Sequence, residues 1–517
     1  MKKYFLIVLF SAGVIFSQGI SDFSLEKKAL LKSNSENPAS NSITDILIDD
    51  NNTIWIATSR GLSKSEDYGK TWTNYYGTEE FGTLGVPALG YNNGIIWASL
   101  SGIKETGGST VNIGEGLVYS ADNGDTWNRI EQPVDDPGDS SVVYGINNLR
   151  ALPVTVKEQN LIYDIAFSKG KIWIATFAGG LRCSDDMGVN WKRVPLPPDY
   201  LDEINPGDTL SFTLQPQAGR FGPESNLNHR LFSVTSDGDE RVYAGTANGI
   251  NISTDNGISW KKYNHQNQDE PISGNFVVAL EYDSLSSSIW GATWRAEDPD
   301  EFYGVSYSLN NGESWQTSLY GERAHNFAFD SRGIIAATDN GLFAARNLGN
   351  EWLSPGVIAD DQKSISILRN QFYSAGVQDS SGVKIIWGGS AGEGLAKMIS
   401  KNGVWNGEWN IILASAKLEN FEDTYAFPNP FSPDDGLTRI KYSLNNPADD
   451  VTIRILDFDM NLVRTLIQNA SRNASDEIFE IWDGRDDLGN YVPNGVYFYR
   501  IDVGSDNVLF GKIMVLM

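Results

Sequence analysis

The chain of 517 residues is too long for one ordinary domain and predicts two or three. Its 66 acidic and 40 basic side chains give a formal charge of −26, which disfavours nucleic acid and anionic membrane surfaces as partners. The single cysteine, Cys183, excludes an intramolecular disulfide.

The first 19 residues have the pattern of a secretory signal peptide. Two lysines precede the apolar run YFLIVLFSAGVIF, and small residues follow at Ser17 and Gly19. The run is short for a transmembrane helix, and no later segment is long and apolar enough to be one. We therefore expect an exported protein that has no transmembrane segment once the signal is removed, with residues 20–41 as an N-terminal segment.

An eight-residue pattern, S-x-[D/N]-x-G-x-x-W, occurs five times, and we call each copy an octet. The copies read SEDYGKTW, SADNGDTW, SDDMGVNW, STDNGISW and SLNNGESW, and ARNLGNEW is a degenerate sixth. The residues that define the pattern are Ser65, Asp67, Gly69, Trp72, Ser120, Asp122, Gly124, Trp127, Ser184, Asp186, Gly188, Trp191, Ser253, Asp255, Gly257, Trp260, Ser308, Asn310, Gly312 and Trp315.

Each octet follows a short apolar segment such as TIWIAT or KIWIATF, and a second apolar segment lies upstream of most copies. This arrangement predicts four strands per repeat. Four-strand repeats of this length are typical of a β-propeller, whose blades bury their faces against their neighbours. We therefore predict an all-β protein with a seven-bladed propeller over residues 42–416. Six or eight blades are also compatible, because the last repeat is degenerate.

The octets are predicted to be turns of the scaffold. An aspartate or asparagine in the third position can accept hydrogen bonds from backbone N–H groups, and the glycine permits the dihedral angles of a tight turn. Asn310 replaces the acid in one copy, which a turn tolerates and a calcium loop would not. The histidines, at positions 229, 265 and 325, show no metal-ligand spacing. We expect no metal and no cofactor.

The octets resemble the Asp-box repeats of BNR-type and sortilin-like propellers. In those families the turns lie opposite the usual ligand site, so the resemblance assigns function to the loops between second and third strands and to the loops between blades. Two such loops are long, residues 99–116 and 293–304. The resulting candidates for ligand binding are Arg60, Phe177, Trp294, Arg295, Glu297 and Asp298, with Asn248, Asp339 and Glu393 near the same rim.

Trp294 and Arg295 make the densest polar and aromatic cluster in these loops. An exposed tryptophan beside an arginine can hold a sugar ring or a protein side chain. The alternative is a tryptophan that anchors a long loop with a solvated acidic tip. The sequence leaves both interpretations open.

The last residues predict a separate β-sandwich over 425–517, after a linker at 417–424. TIRILDFD and GVYFYRIDV alternate as strands do, and DDLGN and VPNG are turn sequences. The motifs YAFPNPFSP, WDGRDDLGNYVPNGVYFYRI and GKIMVLM resemble the immunoglobulin-like domain related to the flagellar hook-capping protein (FlgD/Vpr type). That domain also resembles the type A sorting domain of type IX (Por) secretion. The resemblance implies passage through the periplasm, the type IX secretion machinery as a partner, and a secreted or cell-surface location.

Three functions are compatible with this chain. The favoured one is a binding module for a protein or glycan. A glycoside hydrolase of sialidase-like or xyloglucanase-like type is the second, with Asp298 and Glu393 as candidate catalytic acids. However, the Phe/Tyr-Arg-Ile-Pro signature of sialidases is absent, and xyloglucanases use a cleft between two propellers. The third is a structural or assembly component of the cell surface.

Overall fold

The computed structural model describes residues 33–214 and 226–517, except for 332, 347, 348, 350, 364, 381, 402, 417, 419–422, 435, 505 and 506. The predicted signal peptide and much of the predicted linker lie outside the described residues. The chain divides into two compact units. Of the described residues, the larger unit comprises 33–357 and 368–414, and the smaller one comprises 358–367 and 415–517.

The described part of the larger unit contains seven antiparallel sheets of four or five strands, which we number 1 to 7 in chain order, and one separate two-stranded hairpin. Sheet 1 consists of β1 Ser33–Ser35, β2 Ile43–Ile48, β3 Ile54–Thr58, β4 Gly61–Ser65 and β5 Trp72–Asn74, and sheet 2 consists of β6 Leu89–Asn92, β7 Ile95–Thr106, β8 Ser109–Ser120 and β9 Asn128–Ile130. The hairpin of β10 Ser141–Tyr144 and β11 Asn147–Arg150 follows. Sheet 3 consists of β12 Ile162–Ser168, β13 Lys171–Thr176, β14 Gly180–Ser184 and β15 Lys192–Arg193.

Sheets 4 to 7 follow the same plan. Sheet 4 consists of β16 Glu203–Ile204, β17 Leu231–Ser236, β18 Val242–Thr246, β19 Gly249–Ser253 and β20 Trp260–Tyr263, and sheet 5 consists of β21 Phe276–Asp283, β22 Ser288–Trp294, β23 Gly304–Ser308 and β24 Gln316–Ser318. Sheet 6 consists of β25 Ala324–Asp330, β26 Gly333–Thr338, β27 Gly341–Arg346 and β28 Glu351–Leu353. Sheet 7 consists of β31 Phe372–Ser380, β32 Val383–Ser390, β33 Leu395–Ser400 and β34 Trp409–Ile412. A 3₁₀ turn, Leu227–His229, precedes β17, and the described part of the chain has no α-helix.

The second and third strands of the sheets are covered on both faces. Every residue of β3, with the sequence IWIAT, is buried, and so is every residue of β4. The same holds for β18 and β19 in sheet 4. Strands that are buried on both faces need neighbours on both sides, which is how stacked repeats gain their stability.

The first strands of the seven sheets contact one another in chain order, and β31 of the last sheet contacts β2 of the first. The sheets therefore form a closed ring with their first strands innermost. At the closure, the backbone of Ser42 bridges to that of Ala391. Asn41 joins the same seam, because its Oδ1 accepts from Ala414 N at 2.7 Å and its backbone oxygen accepts from Gly394 N at 3.0 Å.

The sequence predicted residues 99–116 to be a loop, and the structure shows that this prediction was wrong. The segment lengthens β7 and β8, which pair as far as Thr106 and Ser109. Gly107 and Gly108 form the two-residue turn with φ values of 60° and 82°, as the favoured hairpin turns require. Threonine, valine and isoleucine along the arm suit extended backbone, so the insertion forms strands.

Two further strands lie at the outer edges of sheets. β1 adds to the outer strand of sheet 1, so part of the N-terminal segment belongs to the first sheet. β16 adds in the same way to the outer strand of sheet 4. Both additions pair with the fourth strand of their sheet and leave the inner strands unchanged.

The smaller unit contains two facing groups of strands around one apolar core. Its strands are β29 Ala359–Asp360, β30 Ile365–Ser366, β35 Tyr425–Phe427, β36 Thr438–Leu444, β37 Ala448–Leu456, β38 Leu462–Arg472, β39 Ser475–Trp482, β40 Gly495–Val503 and β41 Asn507–Val515. The order is β35-β36-β39 in one sheet and β38-β37-β40-β41 in the other. Trp482 and Tyr499 are fully buried in this core. The hairpin at 358–367, which the sequence assigns to the propeller, clusters with this unit.

Candidate functional site

The octets are turns that join third and fourth strands, and each is closed by the same hydrogen bonds. In the first copy, Gly69 N donates to Ser65 Oγ at 2.8 Å and Ser65 Oγ donates to Asp67 Oδ1 at 2.8 Å. Asp67 also accepts from Thr71 N at 2.9 Å and from Thr71 Oγ1 at 2.6 Å. The residue before the tryptophan thus completes the turn, a role that the sequence pattern did not reveal.

The other four copies repeat this geometry. The hydroxyl and the backbone N–H of Thr126 donate to Asp122 and lower its pKa to about 2. Asn310 serves equally well without a charge, since its Oδ1 accepts from Ser314 N at 3.0 Å. Backbone and hydroxyl groups thus donate to both oxygens of these carboxylates, as in a turn.

The octet glycines also form joints between neighbouring sheets. Gly69 lies under the Trp387 ring of sheet 7, where a Cβ atom would come within 2.6 Å of Cη2. Gly257 lies in the same way against Trp173 of sheet 3. The tryptophan in the second strand of one sheet therefore packs on the octet of the next sheet, a contact that requires glycine at positive φ.

A second repeated feature lies at the opposite end of the sheets, where the first strands begin. Six of the seven first strands contain a β-bulge at or just after their start, and the bulged residues are Thr44, Tyr163, Phe232, Val278, His325 and Tyr373. A bulge turns a side chain away from the regular alternation of the strand. Four of the six, Tyr163, Phe232, His325 and Tyr373, contact other aromatic rings at this end, which we call the mouth of the ring.

Aromatic rings from sheets 3 to 7 meet at this mouth. Ring-centre distances are 5.8 Å from Phe177 to Phe232 and 4.4 Å from Phe232 to Phe276. The series continues from Phe276 to Trp294 at 6.3 Å, to His325 at 5.3 Å and to Tyr373 at 5.2 Å. We call these six residues the aromatic crescent: Phe177, Phe232, Phe276, Trp294, His325 and Tyr373. Phe232 is buried and the other five are partly exposed.

Polar groups hold one end of the aromatic crescent. His325 Nε2 lies 2.8 Å from Asp339 Oδ1, which also accepts from Gln371 Nε2 at 2.9 Å. Burial opposes ionisation of Asp339, but its contacts with His325, Gln371 and Arg323 outweigh burial and keep its pKa below the ordinary value. The carboxylate is therefore ionised at neutral pH and fixes the orientation of the imidazole.

In the structure, Trp294 contacts a different arginine from the one that the sequence pairs with it. The Trp294 ring is partly buried, and its Nε1 donates to Ala324 O at 2.9 Å. The guanidinium above it belongs to Arg323, whose Cζ lies 5.7 Å from the ring centre. Arg295 and Glu297 are exposed in the following loop. Asp298 accepts from Asp300 N and from Gln266 Nε2, and these hydrogen bonds lower its pKa.

The other predicted residues lie in different environments. Phe177 belongs to the aromatic crescent, with Arg230 Cζ 5.4 Å from its ring centre. Arg60 lies over the Tyr76 ring at 4.8 Å, in the turn between β3 and β4 of sheet 1. Glu393 is buried, and its two carboxylate oxygens accept from Leu368 N at 2.9 Å and Arg369 N at 2.7 Å.

Three acids inside the ring were not found from the sequence. Enclosure by protein raises the pKa of Asp45 to about 6 and raises those of Asp164 and Glu281 well above the ordinary value. Asp45 and Asp164 each stand just after a bulge, in ITDILI and IYDIAFS. A polar residue at this same position in several first strands was the signal in the sequence.

No three of the described His, Cys, Asp and Glu residues are arranged to hold a metal ion. Within the described ranges, no helix is long and apolar enough to cross a membrane.

Two family models match parts of the chain. Residues 430–507 match the FlgD Ig-like domain, and residues 37–60 match the two-component regulator propeller. The chain is a β-propeller protein with an immunoglobulin-like domain. No curated protein sequence matches the chain.

Solved structures of other proteins are similar to this chain. An ancestral GH74 enzyme matches with a TM-score of 0.52 and 14% identity, over 94% of this chain and 64% of the enzyme. YCF48 from Cyanidioschyzon merolae matches with a TM-score of 0.38 and 17% identity, over 71% and 96% of the two chains. PorZ, a surface component of the type-IX secretion system of Porphyromonas gingivalis, matches with a TM-score of 0.28 and 14% identity, over 92% and 81%. The likeness to the GH74 enzyme shows the fold alone, and this chain spans less than two thirds of that enzyme.

Proposed function

We propose that the protein is an exported binding module, a seven-bladed Asp-box propeller that takes a glycan or protein ligand on the aromatic crescent. The observation that carries this proposal is the continuous series of rings across five sheets at one end of the ring. Five of its six members remain partly exposed after packing against one another. Partly exposed aromatic side chains beside arginine are typical of surfaces that hold a ligand strongly.

The site is also pre-organised. Trp294 is fixed by its hydrogen bond to Ala324, and His325 is fixed by Asp339. Phe232, His325 and Tyr373 come from bulges in rigid inner strands rather than from mobile loops. Rings that are already ordered lose little entropy when a ligand binds.

The hydrolase alternative receives less support from the acids that the sequence proposed. A general acid needs a pKa near the working pH, but the pKa of Asp298 is lowered. Glu393 is buried, and both of its oxygens accept hydrogen bonds from the backbone of residues 368 and 369. Neither residue belongs to the aromatic crescent. A structural role at the cell surface remains compatible with the fold but explains no feature of the crescent.

We further propose that the immunoglobulin-like domain directs export. Residues 430–507 match a domain class that resembles the sorting domains of type IX cargo. On this proposal the type IX secretion machinery is a partner, and the protein reaches the cell surface or the medium through the periplasm. Fusion of residues 415–517 to a periplasmic reporter tests this route, because the reporter should appear outside the cell only in strains with an intact secretion system.

The binding proposal predicts that Trp294→Ala and Tyr373→Ala each weaken ligand binding at least tenfold. Each substitution removes one ring of the aromatic crescent, and truncation of a central aromatic residue costs about 2 kcal/mol. The measurement is a screen of the full chain, without its signal, on arrays of neutral and acidic glycans and on secreted proteins, followed by titration of each hit.

The matched control is Phe458→Ala, which removes an exposed ring from the smaller unit. This variant should bind as the unmodified protein does. Thermal melting of all three variants identifies any loss of folding. Equal affinity of the folded Trp294 and Tyr373 variants for every ligand found would contradict the proposal.

A further inference from the structure

Arg323 is a rigidly held cation at the edge of the aromatic crescent. Its guanidinium carbon lies 4.4 Å from the Tyr303 ring centre, and its Nη2 donates to Tyr303 Oη at 2.9 Å. Trp294 supports the same group from a distance of 5.7 Å. The side chain nevertheless remains 44% exposed, so part of the guanidinium is open to solvent.

The nearest acid does not neutralise this guanidinium through a close hydrogen-bonded pair. Asp339 Oδ2 lies 3.8 Å from Arg323 Nη1, beyond hydrogen-bond distance. The other oxygen, Oδ1, accepts from Gln371 and lies 2.8 Å from His325 Nε2. Asp339 therefore orients the neighbours of Arg323 and leaves its planar fork open to a ligand.

Other arginines at this end of the sheets are stacked in the same manner. Arg230 precedes β17 and lies over Phe177, a member of the aromatic crescent. Arg60 lies over Tyr76 in the turn between β3 and β4. These three stacked arginines contrast with a chain whose formal charge is −26. The background field repels anions, so cations placed here point to a negatively charged ligand.

We infer that the ligand is an acidic glycan, a polysaccharide of uronic acid units whose carboxylate pairs with Arg323 while its sugar rings lie on the aromatic crescent. This inference rests on the proposed function and adds the charge and class of the ligand. A uronate carries its carboxylate on the six-membered ring itself. It therefore places an anion beside a flat apolar face, as Arg323 stands beside Trp294 and Tyr303.

An acidic peptide is the other source of carboxylates, and it suits the site less well. Peptides are most often bound through their backbone at an open strand edge or in a groove. The first strands at the mouth are already paired with the second strands of their own sheets. The aromatic crescent instead offers rings and a planar guanidinium, which match rigid rings that bear carboxylates.

The test uses three probes with the full chain: oligogalacturonate, the same oligosaccharide after reduction of its carboxyl groups, and poly-glutamate of similar charge. We expect oligogalacturonate to bind, the reduced form to bind at least tenfold more weakly, and poly-glutamate to bind no better than the reduced form. Arg323→Gln should weaken oligogalacturonate binding about tenfold. The affinity of Arg323→Lys should lie between those of the unmodified protein and Arg323→Gln, because lysine keeps the charge but lacks the planar fork of N–H donors.

The matched control is Arg500→Gln. Arg500 is also 44% exposed, lies 5.7 Å from the Phe510 ring centre and is paired with Asp502, but it belongs to the smaller unit. Its variant should bind as the unmodified protein does.

The outcomes separate this inference from the proposed function. Suppose that oligogalacturonate and its carboxyl-reduced form bind equally well, and that Trp294→Ala loses this binding while Arg323→Gln retains it. This result would overturn the inference and keep the proposal of a binding module. Preference for poly-glutamate would replace the glycan with a peptide and overturn the inference. Absence of oligogalacturonate binding also overturns it, and absence of any Trp294-dependent ligand in the array screen contradicts both.

Discussion

Asp45 and Asp164 follow the bulges in the first strands of sheets 1 and 3, and each joins its sheet to the next one. Asp45 accepts from Ile46 N at 2.8 Å and from Leu89 N of sheet 2 at 2.9 Å. Asp164 accepts from Val234 N of sheet 4 at 2.8 Å. In sheet 6 the same position is Asn326, whose Oδ1 accepts from Ala375 N of sheet 7 at 3.2 Å. A neutral amide therefore suffices for this bridge.

We predict that Asp45→Asn stabilises the propeller at neutral pH. The pKa of Asp45 is raised to about 6 from 3.8, so the folded protein binds this proton more tightly than the unfolded chain. The contribution of Asp45 to the free energy of unfolding is therefore fully present below pH 4, and it is lost as the pH rises through 6. Near pH 7.5 the buried charge costs roughly 3 kcal/mol at most. Substitution by asparagine removes this cost, but it also removes one hydrogen bond, which offsets about 1 kcal/mol of the stabilisation.

Denaturant unfolding at pH 4 and pH 7.5 measures this effect. The variant should gain on the order of 1 kcal/mol at pH 7.5 and gain nothing at pH 4. Asp269→Asn changes an exposed acid and serves as the control. A loss of stability at pH 7.5 would mean that the second hydrogen bond outweighs the buried charge.

At the scale of elements, the octet acts as both a turn and a joint. Its glycine combines positive φ with close contact to a tryptophan of the preceding sheet, as Gly257 does with Trp173. The sequence alone revealed the turn, because the local pattern of serine, acid, glycine and tryptophan is sufficient for it. The joint depends on a residue more than 80 positions away, so no local pattern could reveal it.

We predict that Gly257→Ala destabilises the protein by about 2–4 kcal/mol. Alanine at positive φ strains the backbone by about 1 kcal/mol, and the clash of its methyl group with Trp173 adds about 1–3 kcal/mol. The control is Gly238→Ala, where φ is +84°, close to the +86° of Gly257, but the added methyl group meets open space. That variant should lose only about 1 kcal/mol. Equal losses in denaturant unfolding would show that the tryptophan contact is not the cause.

The mouth of the ring shows which features were predictable and which were not. Strand pairs and octet turns follow from apolar alternation and turn chemistry, and the expected order of four strands per sheet agrees with the structure. Arg295 was chosen because it is the sequence neighbour of Trp294, whereas the arginine in contact, Arg323, precedes β25 in the next sheet. Bulges decide which residues face the mouth, and a bulge depends on pairing register, which a single sequence does not show.

At the scale of the whole molecule, each sheet of the ring is built from one continuous stretch of chain. No described sheet combines strands from the beginning and the end of the propeller. The ring is therefore closed only by contacts between sheets 7 and 1. The Asn41 side chain makes two of them, because its Oδ1 accepts from Ala414 N and its Nδ2 lies 3.5 Å from Ala414 O.

We predict that Asn41→Ala loosens this seam and leaves the other sheets unchanged. Hydrogen exchange should become at least tenfold faster in β2 and β31, because the substitution removes partly buried hydrogen bonds that contribute about 1–2 kcal/mol. Asn147→Ala is the control, since Asn147 makes comparable hydrogen bonds in the β10–β11 hairpin and should loosen only that region. Uniformly faster exchange in all sheets would contradict a local seam.

The continuous origin of each sheet also sets the order in which the protein can fold. Contacts within a sheet join residues close in sequence, so a sheet can form as soon as its own stretch of chain is available. Closure of the ring joins Asn41 to Ala414, which are 373 residues apart. Because the entropic cost of closing a loop rises with its length, this step has the largest such cost in the ring. A chain that emerges from its N-terminus can therefore assemble sheets one after another, while sheet 1 waits with one face open until the last sheet arrives. A chaperone that shields apolar surface would be needed longest by sheet 1.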